Sequence, residues 1–520
     1  MDSNLSSRPL IWEQWARRLG RRVREYQIPL LCCMIVGALC YMFALTNKLV
    51  NHDDVFTLFF KGGTLSLGRW GLGLLDSVFP DYSMPWINGV LTLLFMSVSV
   101  CVMLDVFRIQ NKLVQSLLAG CVIAFPSLIG TMTYMFTAAP YALAFLLSVA
   151  AVAMLRRSLK TGFLPAVVLM ILSLSIYQSY VAVSAGFLVL LLIRDLLYGE
   201  DVVPTVRRGL WYVGFLILSL GIYYGATMVF NRFLGTSFNS YATGNLSFDF
   251  RSIPADIVQA YVTFARCITE GFQGLLPTPF SRVVHWIFLA VSAVLLVLWA
   301  GKQSRPRTGR FLLLGALLAI LPLAVCCMHL FTSEDAVHTL VLYSFICIYV
   351  LGAVLAQWHL DRFSGGAAAL RLSRLSLHAV TGAMAVIIAI NIFVANEAYL
   401  NLYLRYENAH SFYTALVADL KQMPEFDQDT KLAVIGSYRS PDFYYENFYH
   451  TDQITGAAGF LPDNYSKERF LEYYLGLSIP FASEEEIAAI QETEEFAEMP
   501  VYPYYGSMKM FGDICVVRLS

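Results

Sequence analysis

Asn51-His52-Asp53-Asp54 places two adjacent carboxylates directly after a long apolar stretch, and Lys61-Gly62-Gly63 and Leu67-Gly68-Arg69-Trp70-Gly71 follow closely. Adjacent acids repel, which raises the pKa of one of them. A carboxylate held just outside the hydrocarbon can take the proton from a sugar hydroxyl as that hydroxyl attacks. The same pair also suits a solvated helix end or an aspartate N-cap. A guanidinium among glycines and aromatics can grip a phosphate through two parallel hydrogen bonds, so Arg69 is the candidate phosphate ligand, with Lys61 and Arg232 as further cations on the same side. Arg69 snorkelling from a plain interfacial helix is the alternative. Trp70 and Phe79 suit headgroup depth, Trp70 is also a candidate sugar-binding residue, and Tyr177-Gln178 offers hydrogen bonds to sugar hydroxyls or, equally, part of an interfacial aromatic belt.

The elements that must position these groups are membrane spans. Hydrophobic residues make up 57% of the 520 and charged ones only 14%, with a mean hydropathy of +0.60, which excludes a soluble fold. Apolar stretches long enough to cross about 30 Å of hydrocarbon are expected near Gln27–Asn47, Ile87–Val106, Leu113–Gly130, Pro140–Leu155, Phe163–Ile176, Val181–Leu197, Gly209–Phe230, Val284–Ala300, Phe311–Leu330, Thr339–Trp358 and His378–Ala398. The fifth and sixth are joined almost directly through Tyr177–Tyr180, as a tight hairpin or partly re-entrant helices. The chain therefore reads as an α-helical polytopic membrane protein of about eleven transmembrane helices, with a cytoplasmic basic amphipathic tail (1–26), a membrane domain (27–398) with outer loops 48–86 and 231–283, and a small extracytoplasmic α/β domain (399–520).

Lys and Arg mark the orientation. The tail carries Arg8, Arg17, Arg18, Arg21, Arg22 and Arg24, and the connections around Arg108, Arg156-Arg157, Arg207-Arg208, Lys302–Arg310 and Arg362–Arg374 are also basic. All of these are expected on the cytoplasmic side, with the C-terminus outside. Ser411–Met423 and Lys467–Leu477 read as helices of the terminal segment, and Lys431–Gly436 and Asp513–Leu519 as strands. Eight cysteines fall in expected spans as packing residues; Cys267 and Cys515 lie on the outer side, where a disulfide would join the long loop to the terminal segment. Glu334-Asp335 with His338 and nearby His329 has the ligand types for a divalent metal, although no spacing matches a ligand motif. No cofactor is therefore expected. Tyr444 and Tyr445, within an aromatic cluster, offer flat faces for sugar stacking, although such clusters also build cores.

Asp53-Asp54 after the first span, Gly68-Arg69-Trp70, and Leu174-Ser175-Ile176-Tyr177-Gln178-Ser179 together resemble the bacterial type II O-antigen glucosyltransferases, polytopic enzymes of the GT-C group. The resemblance extends to span order and an extramembrane C-terminal tail. It implies transfer of glucose from undecaprenyl-phosphate-glucose to a lipid-linked glycan such as O-antigen, at the periplasmic face of the bacterial inner membrane. Asp53, or secondarily Asp54, would be the general base, and Arg69 would stabilise the departing phosphate. The expected partners are the polyprenyl-phosphate sugar, the glycan acceptor and membrane lipid, with no nucleic acid. In agreement, the glycines fit neither a dinucleotide fingerprint nor a phosphate loop. An O-antigen polymerase or ligase is the closer rival; a flippase is disfavoured because the span interiors carry few ionisable residues.

Overall fold

The computed structural model describes residues 11–56, 67–75, 82–234, 251–302, 308–332, 337–438, 446–457 and 464–520. An amphipathic helix α1 (Ile11–Glu25) leads into α2 (Gln27–Thr46), and two short helices, α3 (His52–Phe56) and α4 (Trp70–Leu75), follow it. Next come α5 (Pro85–Phe107), α6 (Lys112–Ile123), α7 (Pro126–Thr131), α8 (Met135–Arg157), α9 (Leu159–Ile176), α10 (Tyr180–Leu197) and α11 (Val202–Leu234). The second half holds α12 (Ile253–Thr269), α13 (Pro279–Ala300), α14 (Thr308–Val325), a 3-10 turn (Thr339–Ile346) continuing into α15 (Cys347–Arg362), and α16 (Ala367–Leu420). Among the described residues, ten helices are long and apolar enough to cross a membrane.

The remaining expected crossing, Leu113–Gly130, is not one helix. It breaks at Phe125, which is extended (φ −68°, ψ 137°), and Pro126 opens α7 at a position where its missing N–H costs nothing. A break inside an apolar bundle leaves carbonyls without helical partners. Three tyrosines from distant helices donate to them: Tyr343 to Val122 O (2.9 Å), Tyr41 to Ile123 O (2.6 Å) and Tyr399 to Ile129 O (2.9 Å). The fifth and sixth spans are two 18-residue helices joined by only the three residues Tyr177–Ser179.

The last span is longer than expected. Helix α16 has 54 residues, roughly 80 Å at 1.5 Å per residue, so it continues without interruption past Ala398 and absorbs the separate helix expected at Ser411–Met423. Beyond it, β1 (Lys431–Ile435), α17 (Asn464–Tyr473), α18 (Glu484–Gln491), α19 (Glu494–Ala497), β2 (Met508–Phe511) and β3 (Ile514–Arg518) form the small α/β unit. Its sheet has the order β1-β3-β2. Strand β3 pairs parallel with β1 (Leu432 opposite Cys515) and antiparallel with β2 (Met510 opposite Cys515). Cys267 and Cys515 are both buried free thiols, so the disulfide considered from sequence is not formed. Helix α17 packs directly on α3, which places the terminal unit over the acidic pair.

Candidate functional site

The acidic helix α3 is held by Asn51. This buried side chain donates from Nδ2 to Thr133 O (2.8 Å) and accepts at Oδ1 from the Asp54 N–H (2.9 Å), capping the helix and tying it to the turn before α8. Asp54 is fully buried and paired with Lys48. Burial lifts its carboxyl above the usual range, the Lys48 charge opposes that lift, and the neighbouring Asp53 adds to it. No hydrogen bond among the described residues reaches Asp54 Oδ1, Ser83 Oγ or Tyr474 Oη. Tyr474, from the terminal unit, lies within the field of Asp54: burial raises its phenol first, and the Asp54 charge adds to that. Asp53 is different. Its side chain is 43% exposed, and its Oδ1 lies 3.7 Å from His52 Nε2. The His52 ring in turn meets Tyr134 edge-on at 6.3 Å.

Arg69 sits in a second set of contacts, at Tyr141 in the second turn of α8. Gly68 has φ +73°, and a Cβ there would lie 2.9 Å from Tyr223 Oη, so backbone and space both favour glycine. Tyr223 donates to Gly68 O (3.0 Å). The Gln178 amide donates to Leu67 O (2.9 Å) and to Tyr223 Oη (2.9 Å). At Gly71 a Cβ would lie 2.0 Å from Ser175 Oγ, because α4 rests on the end of α9. This frame presents Arg69, which donates from Nη1 to Tyr141 Oη (2.8 Å) and from Nε to Gln178 Oε1 (3.4 Å). Its guanidinium stands 5.2 Å from the Tyr177 ring centre, and Tyr177 stacks on Tyr141 at 4.2 Å. His338 is partly buried beside it. Burial, and then the Arg69 charge, pull its imidazole down to about 4.

The sequence pattern of the family described as Glucosyl transferase GtrII matches residues 42–350, more than half of the 520. The chain belongs to this family. With ten long apolar helices among its described residues, it is a membrane glucosyltransferase. The matched region contains Asp53, Asp54, Arg69, Trp70, Tyr177, Gln178 and Arg232, and it ends before the terminal α/β unit. No curated protein matches the chain.

The structure brings Arg69, Tyr177 and Gln178 of this GtrII member together and sets Asp53 and Asp54 along the same helix, α8. Tyr134 touches His52 and Tyr141 holds Arg69, a separation of seven residues or roughly 10 Å of helix. Trp70 is buried, its ring stacked on Phe230 at 4.8 Å. Arg232 is exposed, two residues beyond Phe230 in the last turn of α11. Lys61, Tyr444, Tyr445, Glu334 and Asp335 lie outside the described residues. Among the described residues, no group of three or more His, Cys, Asp or Glu side chains could hold a metal ion. The sequence reading missed Lys48, Tyr141, Tyr223 and Tyr474. Lys48 alone stood near enough in the chain to be suspected; the others arrive only through packing.

Proposed function

We propose that this glucosyltransferase moves glucose from a polyprenyl-phosphate carrier to a lipid-linked cell-surface glycan, at the non-cytoplasmic face of a bacterial inner membrane. The observation that carries this reading is the gathering of Arg69 and the Asp53-Asp54 helix around the same end of α8, with Arg156 and Arg157 at its other end. The basic connections favour the cytoplasm for that other end. Asp53, the more exposed acid, takes the proton from an acceptor hydroxyl. The oxygen attacks the anomeric carbon as the bond from that carbon to the phosphate oxygen breaks, and the polyprenyl phosphate leaves with the electron pair. Arg69, fixed by Tyr141 and Gln178, stabilises the charge that grows on the phosphate. Asp54, enclosed and paired with Lys48, positions α3 and is not itself in contact with the acceptor.

Purified protein in nanodiscs, given polyprenyl-phosphate [14C]glucose and the host's lipid-linked glycan, should add label to the glycan. If label moves only when the donor is a diphosphate-linked oligosaccharide, the enzyme is a polymerase or ligase and the proposal falls. A reporter active only outside the cytoplasm, fused after Ser520, should be active; cytoplasmic activity there would place the site on the wrong face.

A further inference from the structure

A cleft of about 480 Å³ opens beside this site, lined by Arg266 in the last turn of α12, by Glu270, Phe272 and Gln273 after it, and by Asp452 and Gln453 in the terminal segment. Its size lies within the roughly 300–1,000 Å³ of small-ligand sites. Its walls are tied to both halves of the site already described. The carbonyls of Gln273 and Gln453 accept from Thr339 Oγ1 (2.6 and 3.3 Å), next to the His338 that faces Arg69. The Gly456 backbone presses so closely on Thr133 that a Cβ would lie 1.9 Å from its Oγ1, and Thr133 O holds Asn51 at the start of the acidic helix.

The cleft's charges are matched in pairs. Arg266 Nε lies 3.4 Å from Glu270 and its guanidinium stands 4.3 Å over the Phe272 ring. Asp452 is gripped by the buried Arg405 through both oxygens (3.0 and 2.9 Å) and by the Asn401 amide (3.0 Å). Paired charges leave little net field to attract a phosphate, whereas carboxylates, amides and a fixed guanidinium together both donate to and accept from hydroxyls. Gln273 adds an independent sign. It has a left-handed backbone (φ 56°, ψ 32°), shared among the described non-glycine residues only with Arg108. Such strain is costly, and it concentrates at ligand sites.

We propose that this cleft binds an uncharged sugar ring of the acceptor glycan, adjoining the ring that is glucosylated; the word acceptor rests on the proposed function, the sugar binding does not. The probe is the neutral oligosaccharide released by mild acid from the host's lipid-linked glycan, titrated onto the full-length protein in nanodiscs. Gln273→Gly, which relieves the backbone while deleting the amide, and Gln453→Ala, at an exposed position, should each weaken binding about three- to tenfold, as expected for one neutral hydrogen bond. In transfer assays the same factor should fall on the acceptor KM and not on the donor KM. Unaltered affinity in both variants overturns the inference, even where wild-type protein transfers glucose. Cleft-dependent binding by a protein that cannot use polyprenyl-phosphate glucose upholds the sugar site and overturns the proposed function instead.

Discussion

Asp54, in the short acidic helix α3, and Asp195, in the apolar helix α10, are both buried carboxylates, yet they are surrounded quite differently. Asp195, in the last turn of α10, receives Arg156 Nη1 at 3.0 Å, Arg194 Nη1 at 3.3 Å and Arg208, while Arg194 Nε also donates to Phe107 O (2.8 Å). Asp54 has one cation, Lys48, and an Oδ1 that no hydrogen bond reaches among the described residues. A carboxylate saturated by three guanidinium groups has no capacity left for a substrate, so that end of the bundle is a clamp. Buried polar atoms left unsatisfied call for another explanation, and three of those among the described residues, Asp54 Oδ1, Ser83 Oγ and Tyr474 Oη, lie around the helix that presents Asp53. On the proposed function, the difference separates a structural ion network from a reactive one, although both look alike as acids beside basic residues in the sequence.

Replacing one acid at each end should sharpen this contrast most. Asp53→Asn should lower glucose transfer by about 10²–10⁴ with an unchanged thermal midpoint. Asp195→Asn should instead destabilise the protein by roughly 3–5 kcal/mol, because it leaves buried guanidinium groups uncompensated, while the molecules that fold keep their transfer rate. Destabilisation by the first change, or loss of transfer per folded molecule by the second, would erase the distinction.

Arg69→Ala comes next. Loss of a charge-assisted phosphate contact is worth about 1.5–3 kcal/mol, so donor use should fall roughly ten- to a hundredfold. Arg69→Lys should recover only part, since an ammonium keeps the charge and lacks the planar fork held by Tyr141 and Gln178. Full recovery by lysine would mean that only the charge matters.

A smaller effect is expected at His338. Its folded pKa of about 4 lies below the unfolded 6.5, so the unfolded chain binds the extra proton between those values. The resulting stability is present above pH 6.5 and is lost as the pH falls toward 4, by at most on the order of 3 kcal/mol. Thermal melts of His338→Gln should lose that part of the slope; an unaltered slope would place the titrating group elsewhere. The smallest change is Tyr474→Phe. A buried hydroxyl with no partner among the described residues contributes no hydrogen bond to them, so its removal should alter the midpoint by less than about 1 kcal/mol or raise stability slightly. A clear loss would reveal a partner for the phenol.

The spans were legible because a run of about twenty apolar residues has few other uses. The break at Phe125-Pro126 was not, because proline does not by itself announce one: Pro140, Pro165 and Pro322 all lie inside continuous helices. What distinguishes Pro126 is the set of tyrosine hydroxyls that satisfy the freed carbonyls, and those come from residues 41, 343 and 399. The length of α16 was hidden for a related reason, since hydropathy falls near residue 398 while helix propensity does not. At the site, Asp53-Asp54, Arg69 and Tyr177-Gln178 were readable as short segments with evident chemistry. Tyr141, Tyr223 and Tyr474 were ordinary aromatics until packing set them against Arg69, Gly68 and Asp54.

The most direct measurement of the two-ended account is photocrosslinking with a polyprenyl phosphate that carries a photoreactive group next to its phosphate. Labelled peptides should map to the segments around Arg69, Tyr141 and Tyr177, and labelling should drop in Arg69→Ala. Labelling centred on Arg156, Arg194 and Arg208 would put the donor phosphate at the Asp195 end and contradict the account.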